Sequence, residues 1–147
     1  MLKARFRTLF FAVLALPTFA AGCSDSSTSS EDVAGTYVLV SFAGEALPIV
    51  YYDDATLRAE LRSGSIVLDS DEEFRLTLAE RITDKTRSPA TVYSEDTLLE
   101  GTYSVNGSRV TIRYEDEDGD TQSGALTIDD NELVIGDEGE ELVFRKQ

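Results

Sequence analysis

From residue 33 to the end of the chain, apolar and polar residues alternate with a period of two. The clearest run is 73–82, in which Phe74, Leu76, Leu78 and Ile82 share one face. Because successive side chains of a strand point to opposite faces of the sheet, this pattern predicts a β-strand with one buried face. Further strand-like runs are 35–42, 65–69, 101–105, 109–114, 124–128, 132–135 and 141–145.

Turn-forming residues separate these runs. Asn106-Gly107 is typical of a two-residue hairpin loop, and Asp118-Gly119 lies in an acidic tip. Residues 129–131 and 136–139 are two further turns. Strands joined by such short turns leave no room for crossover helices, so the pattern predicts an antiparallel meander.

Residues 53–64 fit two structures. Asp54 could cap a helix that ends at Gly64, because the residues between them have helical propensity. The same residues also alternate between apolar and charged side chains, and we favour a strand that runs into 65–69. Residues 46–52 are expected to form a loop or an edge segment, because their proline cannot donate a ladder hydrogen bond.

About eight strands in so short a chain predict a closed sheet. An open sheet would leave two unpaired edges, and closure removes both of them. The sequence therefore predicts an all-β protein, an antiparallel meander closed into a small barrel of about eight strands, over residues 34–147.

The apolar faces of the predicted strands supply large side chains for the inside of the barrel. This inward set is Tyr37, Leu39, Ile66, Leu68, Phe74, Leu76, Leu78, Tyr103, Val105, Val110, Ile112, Tyr114, Leu126, Ile128, Leu133, Ile135, Leu142 and Phe144. A barrel of this size holds either a packed core or one small ligand, and so many large side chains favour the packed core. Glu80 interrupts the inward series, and we expect it at a solvent-exposed rim rather than against a ligand.

The first 22 residues have the features of a signal peptide. Lys3, Arg5 and Arg7 precede an uncharged, almost wholly apolar run over residues 8–22. That run is shorter than the roughly 20 apolar residues that a membrane span needs.

Residues 20–23, Ala-Ala-Gly-Cys, resemble the lipobox of bacterial lipoproteins, although the third position before the cysteine is usually Leu. The resemblance implies that Cys23 becomes the first mature residue and carries acyl chains. The protein would then be anchored in the bacterial cell envelope by its N-terminal lipid. Ser24 stands where an Asp would retain a lipoprotein in the inner membrane, so the resemblance implies the outer membrane.

An ordinary secretory signal, cut after Ala20 or Ala21, is the alternative, and it would leave Cys23 as a free thiol. The only cysteine of the chain lies where a lipobox needs it, which favours the lipoprotein. Cys23 and the Ser-rich residues that follow it, 23–33 in all, are predicted to form a disordered tether.

The predicted barrel resembles the small bacterial lipocalin-like lipoproteins. Gly35-Thr36-Tyr37 opens the first strand where lipocalins carry Gly-x-Trp, and residues 99–103 precede a hairpin. The resemblance implies a non-catalytic binding module for a small apolar ligand. It also implies that Arg145 lies across the ring of Tyr37, as an arginine near the chain end does in lipocalins. The implied ligand-binding residues are Tyr37, Leu39, Phe74, Leu76, Leu78, Tyr103, Ile112, Tyr114, Phe144 and Arg145.

The chain is strongly acidic, with 13 Lys+Arg against 28 Asp+Glu and a formal net charge of −15. A negative surface repels phosphate backbones, which argues against nucleic acid as a partner. The acidity serves either solubility or the docking of a cationic protein partner. The only concentration of basic residues is expected on one outer strand and its turn: Arg75, Arg81, Lys85 and Arg87.

The sequence gives little support for a catalytic site or a metal site. The chain has no histidine, which removes the usual general base and most zinc sites. Residues 115–120 are acidic, but a calcium loop aligned on Gly119 would need an acidic ligand at Tyr114 and a glutamate at Ala125. A solvated turn is therefore favoured there. We predict a protein that is not an enzyme and has neither metal nor cofactor.

Overall fold

The computed structural model describes residues 28–137 and 139–147. The predicted signal peptide, Cys23 and the first residues of the predicted tether lie outside the described residues. The described elements are α1 (Ser30–Val33), β1 (Gly35–Phe42), β2 (Glu45–Ala46), β3 (Ile49–Asp53), β4 (Leu57–Leu68), β5 (Glu73–Asp84), β6 (Thr91–Asn106), β7 (Arg109–Glu115), β8 (Thr121–Asp129), β9 (Glu132–Ile135) and β10 (Leu142–Lys146).

The strands form one antiparallel sheet that closes on itself. Its order is β2-β1-β10-β9-β8-β7-β6-β5-β4-β3, and β1 also pairs with β4. Eight strands, β1 and β4 to β10, therefore form a closed ring, with β2 and β3 attached at its margin. The predicted all-β antiparallel barrel of about eight strands is confirmed.

Residues 53–64, for which the sequence allows a helix or a strand, lie mostly in a strand. β4 runs without interruption from Leu57 to Leu68 and contains one irregularity between Leu61 and Ser63. β3 begins directly after Pro48 and pairs with β4 alone among the described strands, so it is the edge segment that the proline predicts.

β6 is much longer than the run at 101–105 predicts. Its first part, residues 91–100, pairs with β5 but not with any other described strand, because β7 reaches only as far as Gly101. Most side chains of this extension are exposed, including Val92, Tyr93 and Leu98. A strand with little burial on either face has no clear alternation of apolar and polar residues, so the pattern does not reveal it.

The interior is one apolar core. All members of the predicted inward set are buried in it except Val105, Tyr114 and Leu142, which are half-buried and pack against it. Val33 and Leu61, which the prediction leaves out, also belong to this core. The inward faces of the strands are thus confirmed.

The end of the predicted tether is not disordered, and this boundary is corrected. Residues 30–33 form α1, and the side chain of Val33 is only 1% exposed. Ser29 caps the helix: its backbone N–H donates to Asp32 Oδ2 at 2.9 Å, and its hydroxyl oxygen accepts from the Asp32 N–H at 3.4 Å. No helix within the described ranges has the length and apolar character needed to cross a membrane.

The hairpin between β6 and β7 turns one residue later than expected. Asn106 pairs with Arg109 at the end of the ladder, so the loop residues are Gly107 and Ser108. Gly107 has a φ of 59°, a left-handed conformation that glycine adopts without strain, and it takes the first loop position.

Candidate functional site

Helix α1 closes one end of the barrel. Val33 inserts into the core, and the Tyr37 hydroxyl donates a hydrogen bond to the Val33 carbonyl oxygen at 2.7 Å. Lys146 Nζ donates to the carbonyl oxygen of Asp32 at 3.3 Å. The helix is therefore attached to both the first and the last strand of the barrel.

Tyr103 attaches the same helix to the loop between β4 and β5. Its hydroxyl donates to the Asp69 carbonyl oxygen at 2.7 Å and lies 3.3 Å from the carbonyl oxygen of Ser30. Burial, together with the nearby Glu72 and Asp69, raises the pKa of Tyr103 to about 12. This tyrosine stays neutral and acts as a hydrogen-bond donor at the closed end.

The cation over the ring of Tyr37 is Lys146, and the prediction of Arg145 is wrong. Lys146 Nζ lies 5.6 Å from the ring centroid, and Lys146 is the register partner of Tyr37. Arg145 is one residue away, so strand alternation turns it to the outer face, where its Nη2 donates to Glu132 Oε1 at 2.7 Å.

The opposite end of the barrel has no described helix over it. It lies where β1 and β7 end and β10 begins. Its inner margin consists of apolar side chains that pack against the core but are only half-buried. We call them the apolar ring: Phe42, Leu47, Ile49, Tyr51, Leu99, Tyr114 and Leu142.

Glu80 lies inside this open end and is only 8% exposed. Tyr51 of β3 donates its hydroxyl to Glu80 Oε1 at 2.7 Å. The register places Leu61 of β4 on one side of Glu80 and Glu95 of β6 on the other. The expectation of a solvent-exposed rim position is therefore wrong, because the edge strand β3 brings Tyr51 to Glu80.

The environment of Glu80 disfavours its charge. Burial raises the pKa of this carboxyl group, the Tyr51 hydrogen bond opposes that effect, and the nearby Glu95 raises the pKa further. Burial and Glu80 also raise the pKa of the Tyr51 hydroxyl, so Tyr51 remains a donor. Within the described ranges, no lysine or arginine forms an ion pair with Glu80.

The structure brings nine of the ten predicted ligand-binding residues to the interior and leaves Arg145 outside. The interior residues are Tyr37, Leu39, Phe74, Leu76, Leu78, Tyr103, Ile112, Tyr114 and Phe144. Tyr37 and Tyr103 hold α1 at the closed end, whereas Tyr114 belongs to the apolar ring and Leu78 lies next to Glu80 on the inner face. That these residues contact a ligand stays a prediction.

Sequence reasoning missed Tyr51 and Glu95 as neighbours of Glu80. The available signal was Glu80 itself, an acidic residue at an inward position of a strand whose other inward residues are apolar. Pairing of β5 with the extension of β6, and of β3 with β4, brings the other two residues to it.

A separate open groove of about 570 Å³ lies on the barrel wall formed by β4, β5 and β6. Val67, Arg75 and Glu100 are among its lining residues. Arg75 Nε is 2.6 Å from Glu100 Oε1, so these two of the four charged lining residues form an ion pair. The groove is not the interior that the inward set encloses.

Most of the basic side chains in the described ranges form ion pairs with acidic neighbours. The four residues of the basic concentration are each paired with an acid: Arg75 with Glu100, Arg81 with Glu60, Lys85 with Asp53, and Arg87 with Asp84. In the acidic tip, Asp116 Oδ1 accepts the backbone N–H groups of Asp118 and Asp120, each at 3.0 Å. These contacts form a turn, and the described residues contain no group of three or more side chains placed to hold a metal ion.

Residues 33–135 match a family model described as a lipocalin-like domain. The match covers well over half of the chain and runs from buried Val33 to the end of β9. β10 lies beyond it and completes the barrel through its pairing with β1. Comparisons with curated proteins and with solved structures found no match.

Proposed function

Because the chain belongs to the lipocalin-like domain family, we propose that it is a binding module that takes a small apolar ligand into the open end of its barrel. The difference between the two ends of the barrel carries this proposal. Val33, Tyr37 and Tyr103 at the closed end are at most 3% exposed, whereas the apolar ring is left half-exposed.

Covering the half-exposed side chains of the apolar ring would favour the binding of such a ligand. Apolar surface that leaves water stabilises a complex by roughly 25 cal/mol per Å². A concave apolar surface with a few polar groups is the usual form of a small-molecule site. Here Glu80 and Tyr51 supply those polar groups inside the apolar ring.

Two neighbouring residues of β3 offer a matched test. Ile49 is half-buried and belongs to the apolar ring, whereas Val50 is 40% exposed. We expect a neutral fluorescent probe, N-phenyl-1-naphthylamine, to bind saturably. Ile49→Gln should weaken that binding about fivefold through lost apolar contact, and Val50→Gln should leave it unchanged. Absence of saturable binding, or equal effects of both variants, would contradict the proposal.

The proposed location is the bacterial cell envelope, with the protein anchored by a lipid on Cys23 and placed at the outer membrane. Cys23 precedes Ser30 of α1 by seven residues, which span at most about 25 Å of extended chain. Since α1 lies at the closed end, an anchor on Cys23 keeps that end near the membrane and lets the open end face away from it.

The anchor is tested by detergent phase partitioning of whole-cell extracts. The unmodified chain is expected in the detergent phase and Cys23→Ala in the aqueous phase, because the variant cannot carry acyl chains. Ser24→Ala, one residue away, should partition as the unmodified chain does. If Cys23→Ala stays in the detergent phase, the lipid is not on Cys23.

A second candidate function is the docking of a cationic protein partner. It is favoured by the extension of β6, which pairs with only one described strand and combines exposed Leu98 with the acidic Asp96. An unpaired strand edge can accept a strand from a partner, and acidic side chains beside it would favour a basic one. Salt-sensitive capture of lysozyme that Asp96→Lys abolishes would support this function, and capture that Asp96→Lys does not change would exclude the β6 edge.

A further inference from the structure

Glu80 is a carboxylate that the barrel buries without a compensating cation. It is the one buried charged side chain within the described ranges. Tyr51 donates to Oε1, while Oε2 receives no hydrogen bond from a described residue and is not fully buried. A buried ion with neither a paired charge nor full hydrogen bonding is costly, so a group that supplied both would stabilise this site.

A second carboxylate faces the same space. Glu95 is the register partner of Glu80 across β5 and β6, and it is half-buried. Directly opposite side chains of an antiparallel pair lie on one face with their Cβ atoms roughly 5 Å apart. Among the ion pairs of the described residues, none involves Glu95. Two like charges at this distance repel each other, and a cation between them would remove the repulsion.

The walls around these carboxylates are apolar. Leu78 and Ile82 flank Glu80 along β5, and Leu61 is its partner on β4; all three are at most 4% exposed. The apolar ring continues this surface outwards. A small hydrated ion would gain nothing from these walls, whereas a cationic head on an apolar body matches both parts of the site.

We propose that the open end of the barrel selects ligands that carry a cationic amine on an apolar body, with Glu80 and Glu95 as counter-charges. Tyr51 holds Glu80 from the β3 side and leaves Oε2 to receive an N–H of the ligand. This inference rests on the proposed function, the binding of an apolar ligand at the open end.

Other ligand heads fit the site less well. A carboxylate or sulfate would meet two negative groups and no described cation. A neutral hydroxyl could bind only as a donor to ionised Glu80 or as an acceptor from its protonated form, and either interaction is weaker than a charge-assisted hydrogen bond.

Three ligands with the same eight-carbon chain separate these alternatives: octylammonium, octanol and octanoate. Binding is measured by isothermal titration calorimetry at pH 7 on the full chain carrying Cys23→Ala, purified without detergent. Octylammonium should bind about tenfold more tightly than octanol, and octanoate should bind most weakly.

Matched variants separate the buried site from the general acidity of the protein. Glu80→Gln should remove the preference for octylammonium and change octanol binding much less, because a glutamine amide can still form a hydrogen bond with a hydroxyl. Glu73→Gln removes the same charge from an exposed position of β5 and should change neither affinity. Glu95→Gln keeps Glu80 and should weaken octylammonium binding about threefold, so it carries the test if Glu80→Gln does not fold.

Each result decides between the two proposals. If octanol or octanoate binds as tightly as octylammonium, the ligand class is wrong while binding at the open end stands. If Glu73→Gln has the same effect as Glu80→Gln, the preference comes from surface charge and the inference fails. If none of the three ligands binds, the proposed function itself fails.

Discussion

The two ends of the barrel differ in how deeply they bury their apolar side chains and in what their tyrosine hydroxyls bond to. At the closed end, Val33, Tyr37 and Tyr103 are almost fully buried, and both tyrosine hydroxyls donate to backbone carbonyl oxygens of α1 or of the loop beside it. At the open end, apolar side chains stay half-exposed, and the hydroxyl of half-buried Tyr51 donates to a carboxylate instead. The first arrangement removes the apolar side chains from water, whereas the second leaves apolar side chains half-exposed around a buried carboxyl group.

The largest difference between the ends should be in stability. Tyr37→Ala removes a fully buried ring and its hydrogen bond to Val33, and it should lower the free energy of unfolding by about 4 kcal/mol. Tyr114→Ala, in the half-buried apolar ring, should cost about half as much. Urea denaturation measures both, and equal costs would show that the two ends are packed alike.

The charge at the open end should make stability depend on pH. Because the pKa of Glu80 is raised in the folded state, its stabilising contribution is complete below the unfolded pKa of about 4.3 and is lost as pH rises through the folded pKa. Each unit of difference between the folded and the unfolded pKa changes the free energy of unfolding by about 1.4 kcal/mol. Glu80→Gln should therefore gain stability relative to the unmodified chain as the pH is raised from 4 to 8.

Thermal unfolding followed by circular dichroism across this pH range measures that difference. Glu95 and Tyr51 face the same carboxyl group, and Tyr51 stays neutral because its own pKa is raised. Glu73→Gln is the control, since Glu73 is exposed on the same strand. If the melting temperatures of the unmodified chain and of Glu80→Gln change with pH in parallel, Glu80 has the same pKa in the folded and the unfolded state.

A smaller effect is expected from the hydroxyl of Tyr103 at the closed end. Tyr103→Phe removes its donation to Asp69 and Ser30, and it should cost about 1 kcal/mol of stability. Tyr93→Phe is the matched control because Tyr93 is 43% exposed, and it should change stability very little. Chemical denaturation of the two variants decides whether this hydroxyl holds α1 on the barrel.

The smallest expected effect distinguishes the last two basic residues. Lys146→Met loses the contacts with the Tyr37 ring and with Asp32, at a cost of about 0.5 kcal/mol. Arg145→Met breaks only an exposed pair with Glu132, and such pairs contribute little. Hydrogen exchange at the amides of α1 should accelerate in Lys146→Met and not in Arg145→Met, whereas equal exchange rates would show that Lys146 does not hold the helix.

Alternation along the chain was sufficient to predict most of the strands and most of the core. Side chains such as Phe74, Leu76 and Leu78 share a face because the period of a strand is a local property of its backbone. The turn-forming residues between the runs predict short connections and hence antiparallel pairing, and the alternation correctly favoured a strand for most of residues 53–64.

Features that depend on contacts between distant segments could not be predicted in this way. Burial of Glu80 requires β3 to bring Tyr51 over the open end, and the choice of Lys146 over Arg145 depends on the register between the first and last strands. Closure through β1 and β4, and the docking of α1 under the barrel, likewise join residues far apart in the chain. Period and turn chemistry are properties of neighbouring residues, whereas register, closure and the burial of a charge are settled only when the whole sheet has folded.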